Sequence, residues 1–210
     1  MFVKELWRYP VKSMAGERVS EAGLTLEGFP DDRKILVTGT HGVTTSRSHH
    51  RLLGLKGTIG EDGVPRIAGY RWDSPEALSL VKQAAEPAAR VVYYDGVERF
   101  DVLPLLIATD GAIAHMGFDG RRLRPNIVIG GVEGLEERTW PGRRLRVGGA
   151  IIEAAQLRGR CVMTTYDPDT LQQDRTVLKC IVDELDGRMA LDCAVVEPGL
   201  IREGDPVQLL

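Results

Sequence analysis

The chain is divided into short strand-like segments by turn residues, and this pattern limits its fold more than any other feature. Residues 2–9 alternate roughly between apolar and polar side chains until Pro10, which ends the segment. Further β-like segments occupy residues 33–38, 90–94, 103–108, 127–129, 144–147 and 150–155. Many short strands with few helices predict a β-rich, barrel-like architecture.

Three helices and two hairpins complete the predicted layout. The helices are expected at residues 75–86, 110–117 and 174–186, behind the N-cap residues Ser74, Thr109 and Asp174. Gly148-Gly149 and Asp95-Gly96 are hairpin turns in this interpretation, the second joining strand 90–94 to a partner at 97–102. A second unit is expected to begin near Asp101, which gives domains 1–100 and 101–210.

Composition excludes several classes of protein. The formal net charge is −3, with 27% charged residues, so the basic footprint of a nucleic-acid binder is missing. The first ten residues carry charges and have no apolar leader region, and no run is long enough to span a bilayer. These features predict a cytoplasmic protein with no nucleic-acid or membrane partner. Three cysteines with no C-x₂-C spacing point to free thiols in a reducing compartment.

Cys161 is the candidate for chemistry. It directly follows Arg158 and Arg160, and two guanidinium groups so close to a thiol favour the thiolate, the form that attacks electrophiles or binds a soft metal. The alternative is a small buried hydrophobe, the commoner role of a free cysteine. Cys180 in a helix and Cys193 in a core strand are assigned to packing.

Several basic and hydroxyl residues are candidates for an anion site. Lys12-Ser13 follows a proline-set bend and suits an anionic ligand, although a solvated loop is the alternative. Arg124, in a run with two other arginines, stands ahead of a β-branched strand and could hold phosphate. Thr109-Asp110 joins a strand to a helix N-terminus, where free N–H groups favour anions.

Four stretches taken together resemble the MOSC family, named after the C-terminal domain of molybdenum cofactor sulfurase. They are Y-P-V-K-S at 9–13, T-S-R-S-H-H-R-L at 45–52, R-P-N-I-V-I at 124–129 and R-C-V-M-T-T-Y-D-P-D-T at 160–170. The likeness is to the amidoxime-reducing component and its bacterial relatives, and it covers essentially the whole chain. It implies an N-terminal MOSC β domain, then a MOSC β-barrel, with the pterin-based molybdenum cofactor (Mo-molybdopterin) between them.

The resemblance also implies roles for individual residues. Cys161 matches the cysteine whose thiolate binds molybdenum and is therefore the predicted catalytic residue and metal ligand. The other matched cofactor-binding positions are Lys12, Ser13, Arg33, Arg47, Thr109, Arg124 and Asn126, with the Thr109 hydroxyl expected near the phosphate. Arg158 is added on grounds of charge alone.

The family implies a molybdenum-dependent oxidoreductase that reduces N-hydroxylated compounds such as amidoximes, hydroxylamines and N-hydroxylated bases. Electrons are expected from a separate flavin reductase, ferredoxin or cytochrome type of partner. Neither an iron–sulfur cluster nor pyridoxal phosphate is expected, because the domains that bind them in some relatives have no counterpart here. The alternative is a carrier that transfers the cofactor, or sulfur on Cys161, without turnover of its own.

Overall fold

The computed structural model describes residues 1–210 and is mainly β, as predicted. The strands are β1 (Phe2–Arg8), β2 (Glu17–Val19), β3 (Glu21–Leu24), β4 (Ile35–Gly39), β5 (Gly42–Val43), β6 (Gly57–Ile59), β7 (Pro65–Ile67), β8 (Tyr70–Arg71), β9 (Arg90–Tyr93), β10 (Leu105–Thr109), β11 (Ile127–Gly130), β12 (Arg144–Val147), β13 (Ala150–Gly159), β14 (Arg188–Glu197), β15 (Gly199–Arg202) and β16 (Val207–Leu209). The helices are α1 (Pro75–Ala84), α2 (Asp110–Met116) and α3 (Arg175–Leu185). Short 3₁₀ turns occupy His50–Gly54, Val97–Arg99, Gly120–Leu123, Glu136–Thr139 and Val162–Thr165.

An eight-stranded sheet holds the main hydrophobic core. Its strand order is β16-β12-β13-β14-β10-β11-β1-β2, and the neighbours are antiparallel except for the parallel pair β10 and β11. Twenty buried apolar residues form its core, with Trp140 fully buried among them. Burial of this apolar area is the main force that stabilises this half of the protein.

The large sheet is not closed into a barrel, which corrects that part of the prediction. Its end strands β2 and β16 are not paired with each other. A single bridge between Phe2 and Pro206 joins β1 to the approach to β16. Hydrogen bonds from the Val3 N–H to the Asp205 carbonyl at 2.9 Å and from the Val207 N–H to the Met1 carbonyl at 3.0 Å flank this bridge, which does not extend into a paired ladder.

The N-terminal half has a smaller core of its own. Strands β5-β4-β9 and β6-β7-β8 form two three-stranded sheets, and α1 packs beside them over nine buried apolar residues. However, β1 and β2 belong to the large sheet, and β3 pairs with β15 near the C-terminus. The two halves therefore share strands, and a division near Asp101 remains our proposal.

Two local predictions are wrong. Residues 97–102 do not form a strand, because the buried Arg99 side chain donates to the carbonyls of Asp95 and Gly96 and holds the segment in a turn. Strand β9 pairs instead with β4. Cys180 does not pack in the core: it is exposed on α3, which buries Val177, Ile181 and Leu185 on its other face.

The remaining local predictions are largely confirmed. Ser74 caps α1 with its side chain, although the helix ends at Ala84 rather than 86. Strands β12 and β13 form the expected hairpin around Gly148-Gly149. Cys193 is fully buried in the core. No helix in the structure is both long and apolar enough to cross a membrane.

Candidate functional site

A basic cleft lies between residues of the two halves and encloses about 790 Å³, including the space at its open mouth. Its walls contain eight of the nine predicted site residues: Lys12, Ser13, Arg33, Arg47, Arg124, Asn126, Arg158 and Cys161. Arg122 and Arg160 raise the number of basic side chains around it to seven, and Asp101 is the one acidic residue in the lining. This charge distribution suits an anionic ligand.

Three cleft residues have an unusual backbone conformation. Ser13, Arg33 and Arg124 have φ angles of 70°, 56° and 58°, in the left-handed region that residues with a Cβ atom rarely adopt. Such conformations cost free energy and persist where the surrounding structure imposes them, which is often at functional sites. All three residues line the cleft, so the left-handed conformations are concentrated at this candidate site.

Asp32 is the buried centre of one wall. Its carboxylate accepts a hydrogen bond of 2.6 Å from the Tyr9 backbone N–H and forms an ion pair with Arg33. Burial raises the pKa of Asp32, and the charge of Arg33 opposes this shift only in part. The guanidinium groups of Arg33 and Arg124 lie 5.2 Å and 4.4 Å from the centre of the Tyr9 ring. Asp32 and Tyr9 therefore hold both arginines in place.

Asn126 joins this wall to the large sheet. Its Oδ1 accepts from the Leu106 N–H at 3.1 Å, and its Nδ2 donates to the Trp7 carbonyl and to Asp32, both at 3.3 Å. The side chain is fully buried, and both of its polar ends are used within the protein. In this arrangement Asn126 positions Asp32 rather than presenting free donors to a ligand.

Lys12 and Arg47 share one acidic partner. The Lys12 ammonium donates to the Arg99 carbonyl at 2.7 Å and to Asp101 at 2.8 Å, and Arg47 lies 3.7 Å from the same carboxylate. Burial opposes ionisation of Asp101, but the hydrogen bond from Lys12 and the charge of Arg47 keep its pKa below the usual value. Asp101 is therefore an anion when it contacts both cations.

Cys161 directly precedes the 3₁₀ turn Val162–Thr165, which follows β13. The residue is half-buried, and the Thr164 hydroxyl donates to its carbonyl at 2.9 Å, which fixes the backbone behind the thiol. Cys161 is the only cysteine that lines the cleft. No group of three or more His, Cys, Asp or Glu side chains in the chain could hold a metal ion.

Arg160 and Arg124 are the two cleft arginines without a carboxylate partner. Arg160 donates to the Leu123 carbonyl at 2.8 Å, while its buried Nε has no hydrogen-bond partner. Burial lowers the pKa of each of these guanidinium groups to about 10, so both remain charged at neutral pH. Arg122 pairs with Asp167 at 3.1 Å, but its buried Nε is also unpartnered. Unpartnered buried donors are costly and are usually satisfied by a ligand or water.

Thr109 lies away from the cleft. It is fully buried, its hydroxyl accepts the Ala112 N–H as the N-cap of α2, and it donates to the buried carboxylate of Glu137. Burial raises the pKa of Glu137 to about 8. The helix itself and Glu137 thus use the hydroxyl that was expected to meet a phosphate, and the structure does not bring Thr109 to the other predicted residues.

Six site residues were missed from the sequence: Arg122, Arg160, Asp32, Asp101, Asp167 and Asp192. Arg160 was visible beside Cys161, and Arg122 stood in the run ahead of Arg124, so adjacency gave a signal for both. The four carboxylates were not foreseen. Asp32 lies between Asp31 and Arg33 in the sequence and Asp192 between Leu191 and Cys193, and neither setting indicates a site. Asp32 matters because it pairs with the adjacent Arg33, and Asp192 because it pairs with Arg158 on the neighbouring strand.

Family models identify both halves of the chain. The MOSC domain matches residues 108–208, and the MOSC N-terminal beta barrel domain matches residues 1–91. The chain belongs to the MOSC family. Human mitochondrial amidoxime-reducing component 1 is 28% identical over 99% of this chain and 82% of its own length. Human mitochondrial amidoxime reducing component 2 is 32% identical over 82% of this chain and 69% of its own length.

Two further similarities are more distant. Molybdenum cofactor sulfurase of Caenorhabditis briggsae is 23% identical over 86% of this MOSC chain, which spans only 31% of that protein. The crystal structure of the Bacillus subtilis YuaD protein superposes with a TM-score of 0.54 at 14% identity, covering 99% of this chain and 93% of the other. At that identity the likeness establishes the fold alone.

Proposed function

We propose that this MOSC protein binds the pterin-based molybdenum cofactor in the basic cleft and reduces N-hydroxylated compounds. The observation that carries the proposal is the position of Cys161, the one thiol in a cleft lined by seven basic side chains. A thiolate is a suitable soft ligand for a metal, and basic side chains suit the phosphate of the cofactor. The names of the amidoxime-reducing relatives support the reaction class.

The donor set of the cleft fits such a cofactor. Four carboxylates contact its seven cations: Asp32, Asp101, Asp167 and Asp192. Three positive charges are therefore left without compensation by the protein, and a phosphate group would supply up to two negative charges. Arg124 and Arg160 have no carboxylate partner within the protein, so theirs are charges that such an anion would compensate.

The chain would divide the work between its two halves. Lys12, Ser13 and Arg33 would hold the cofactor from the N-terminal side, and Arg47 and Arg124 would add further contacts. Cys161 would bind the metal. When bound, the cofactor would supply the two-electron chemistry of the reaction. Two protons and two electrons convert an N–OH group to N–H and water, and we propose that a separate redox protein delivers the electrons.

Cofactor or sulfur transfer is the second candidate. One matched relative is named a molybdenum cofactor sulfurase, and Cys161 is accessible enough at the cleft to carry a persulfide. In that case the chain would release bound cofactor, or sulfur, to an acceptor enzyme without consuming an N-hydroxylated compound.

The test is expression in a host that makes the cofactor, followed by metal analysis and mass spectrometry of the extracted pterin. Benzamidoxime reduction with an artificial electron donor then measures turnover. We expect one molybdenum per chain and formation of benzamidine. The exposed Cys180→Ala variant is a matched control for loss of a thiol outside the cleft. A fully loaded protein that is inactive on every N-hydroxylated compound, yet activates an apo-enzyme, would identify the carrier.

A further inference from the structure

Arg158 is placed in the cleft by an irregularity of the large sheet. Residues Ile152 and Ala154 of β13 point into the hydrophobic core, so strict alternation would send Arg158 into it as well. An extra residue in β13 between Ala154 and Gln156 shifts the register against β14. Leu157 then packs against the core in place of its neighbours, and Arg158 moves to the opposite face.

Asp192 receives the arginine on that face. Its carboxylate lies 2.8 Å from Nε of Arg158 and accepts from Gln156 Nε2 at 3.4 Å. Asp192 is 1% exposed, and burial raises its pKa although the charge of Arg158 opposes the shift. This contact is an ion pair without hydrogen-bond geometry, because Asp192 Oδ1 has no hydrogen-bond partner, and it places the Nε side of the guanidinium against Asp192. The two terminal nitrogens of the guanidinium make no hydrogen bond within the protein, and the side chain lines the cleft.

We propose that Arg158 is a specificity-determining residue that binds a carboxylate of the substrate, with Asp192 as its positioning residue. This inference rests on the proposed reductase function. An arginine with two free terminal nitrogens matches the planar fork of a carboxylate. Because Asp192 already compensates its charge, the pair suits a singly charged carboxylate better than a doubly charged phosphate. The substrate class is therefore an N-hydroxylated compound that also carries a carboxylate.

The experiment compares benzamidoxime with 4-carboxybenzamidoxime, two substrates that differ by one carboxylate. For the loaded protein we expect the higher kcat/KM with the carboxylate compound. In Arg158→Gln the ratio of the two kcat/KM values falls by about tenfold to a hundredfold, the usual effect of losing hydrogen bonds to a charged group. Arg158→Lys keeps the charge but not the fork, and we expect it to recover only a minor part of the ratio. An unchanged ratio in Arg158→Gln would overturn the proposal.

The positioning role of Asp192 needs a measurement that a general loss of stability or activity would not change. In Asp192→Asn we expect the KM for the carboxylate compound to rise several-fold while the ratio of the two kcat values stays constant. Equal losses on both substrates would instead assign Asp192 a purely structural role. Arg146→Gln, on the exposed face of β12, is the control for removing one positive charge outside the cleft.

Two further measurements are needed. The cofactor content of Arg158→Gln shows whether Arg158 binds the cofactor phosphate or the substrate carboxylate, and substrate binding tests the carboxylate site separately from the reductase proposal. If Arg158 binds the phosphate of the cofactor, Arg158→Gln loses molybdenum and pterin, and the substrate assignment is wrong. Calorimetry without any reductant measures the binding of 4-carboxybenzamidoxime independently of turnover. If the loaded protein reduces neither compound, the reductase proposal fails, whereas weaker binding to Arg158→Gln than to Arg146→Gln would still support the carboxylate site.

Discussion

The two walls of the cleft differ in how completely their polar groups are paired. In the Asp32 wall, formed by Tyr9, Asp32, Arg33 and Asn126, every polar end of Asn126 and the buried carboxylate have protein partners. In the Cys161 wall, formed by Arg158, Arg160 and Cys161, donors face the cleft or are buried without partners. The buried carboxylate and amide of the first wall are satisfied without a ligand, while the second wall contains Arg160, a charged side chain with no carboxylate partner. We infer that the first positions the ligand and the second reacts with it.

The largest effect is expected at Cys161. Cys161→Ala removes the only thiol of the cleft, so we expect loss of molybdenum and of all reductase activity. The free energy of unfolding of the unloaded protein should change little, because the residue is half-buried at a turn. Metal analysis and urea unfolding measure the two quantities. If the variant retained molybdenum and turned over, Cys161 would not be the metal ligand.

In the Asp32 wall we expect a loss of stability rather than a loss of the metal ligand. Asp32→Ala removes a fully buried carboxylate, leaves the half-buried Arg33 without its partner and the Tyr9 N–H without its acceptor, and should lower the free energy of unfolding by about 3–5 kcal/mol. Asp32→Asn keeps the shape and should cost less. Urea unfolding of the unloaded protein measures both. Similar stability of the Asp32→Ala variant and the wild type would mean that this wall is not structurally fixed.

The sequence was enough to bring eight of the nine candidate residues to one cleft, because the family motifs fix positions along the chain. It failed for Thr109, whose hydroxyl is used by its own helix and by Glu137, a residue 28 positions away. Contacts of this kind depend on how α2 packs. The Asp192 partnership of Arg158 was equally invisible, since simple alternation gives no sign of the extra residue after Ala154.

Glu137 shows what a buried carboxylate does without an arginine ion pair such as that of Asp32. Its pKa is about 8 in the folded protein against 4.5 for the free side chain, so the folded state holds a proton that the unfolded state releases. Its contribution to stability is complete below pH 4.5 and is lost as the pH rises to about 8. The free energy of unfolding should fall by up to about 1.4 kcal/mol per pH unit within this window.

Glu137→Gln should remove this slope, because the amide keeps a neutral, hydrogen-bonding side chain beside Thr109. Thermal unfolding of wild type and variant at pH 5, 6, 7 and 8 measures the difference. We expect the variant to gain relative stability steadily towards pH 8. Parallel curves for the two proteins would show that Glu137 is ionised in the folded state across the whole range.

The smallest effect is expected for Arg160→Met, which tests whether the unpaired arginine of the Cys161 wall is kept for a ligand. Arg160 is charged, has no carboxylate partner and keeps its buried Nε unpartnered, so the unloaded protein holds it at a cost in free energy. Arg160→Met keeps much of the volume and removes that cost together with the bond to the Leu123 carbonyl. We therefore expect the unloaded protein to change in stability by less than about 1 kcal/mol in either direction.

Cofactor retention should respond differently to Arg160→Met. We expect the molybdenum and pterin content after dialysis to fall, with binding weaker by about tenfold, as for one hydrogen bond to a charged group. Unfolding of the unloaded protein and pterin content of the loaded protein are measured on the same variant. Lower stability with normal cofactor content would place Arg160 with the structurally complete wall. That result would contradict the proposed difference between the two walls, because Arg160 lies next to Cys161 and would then have a structural role.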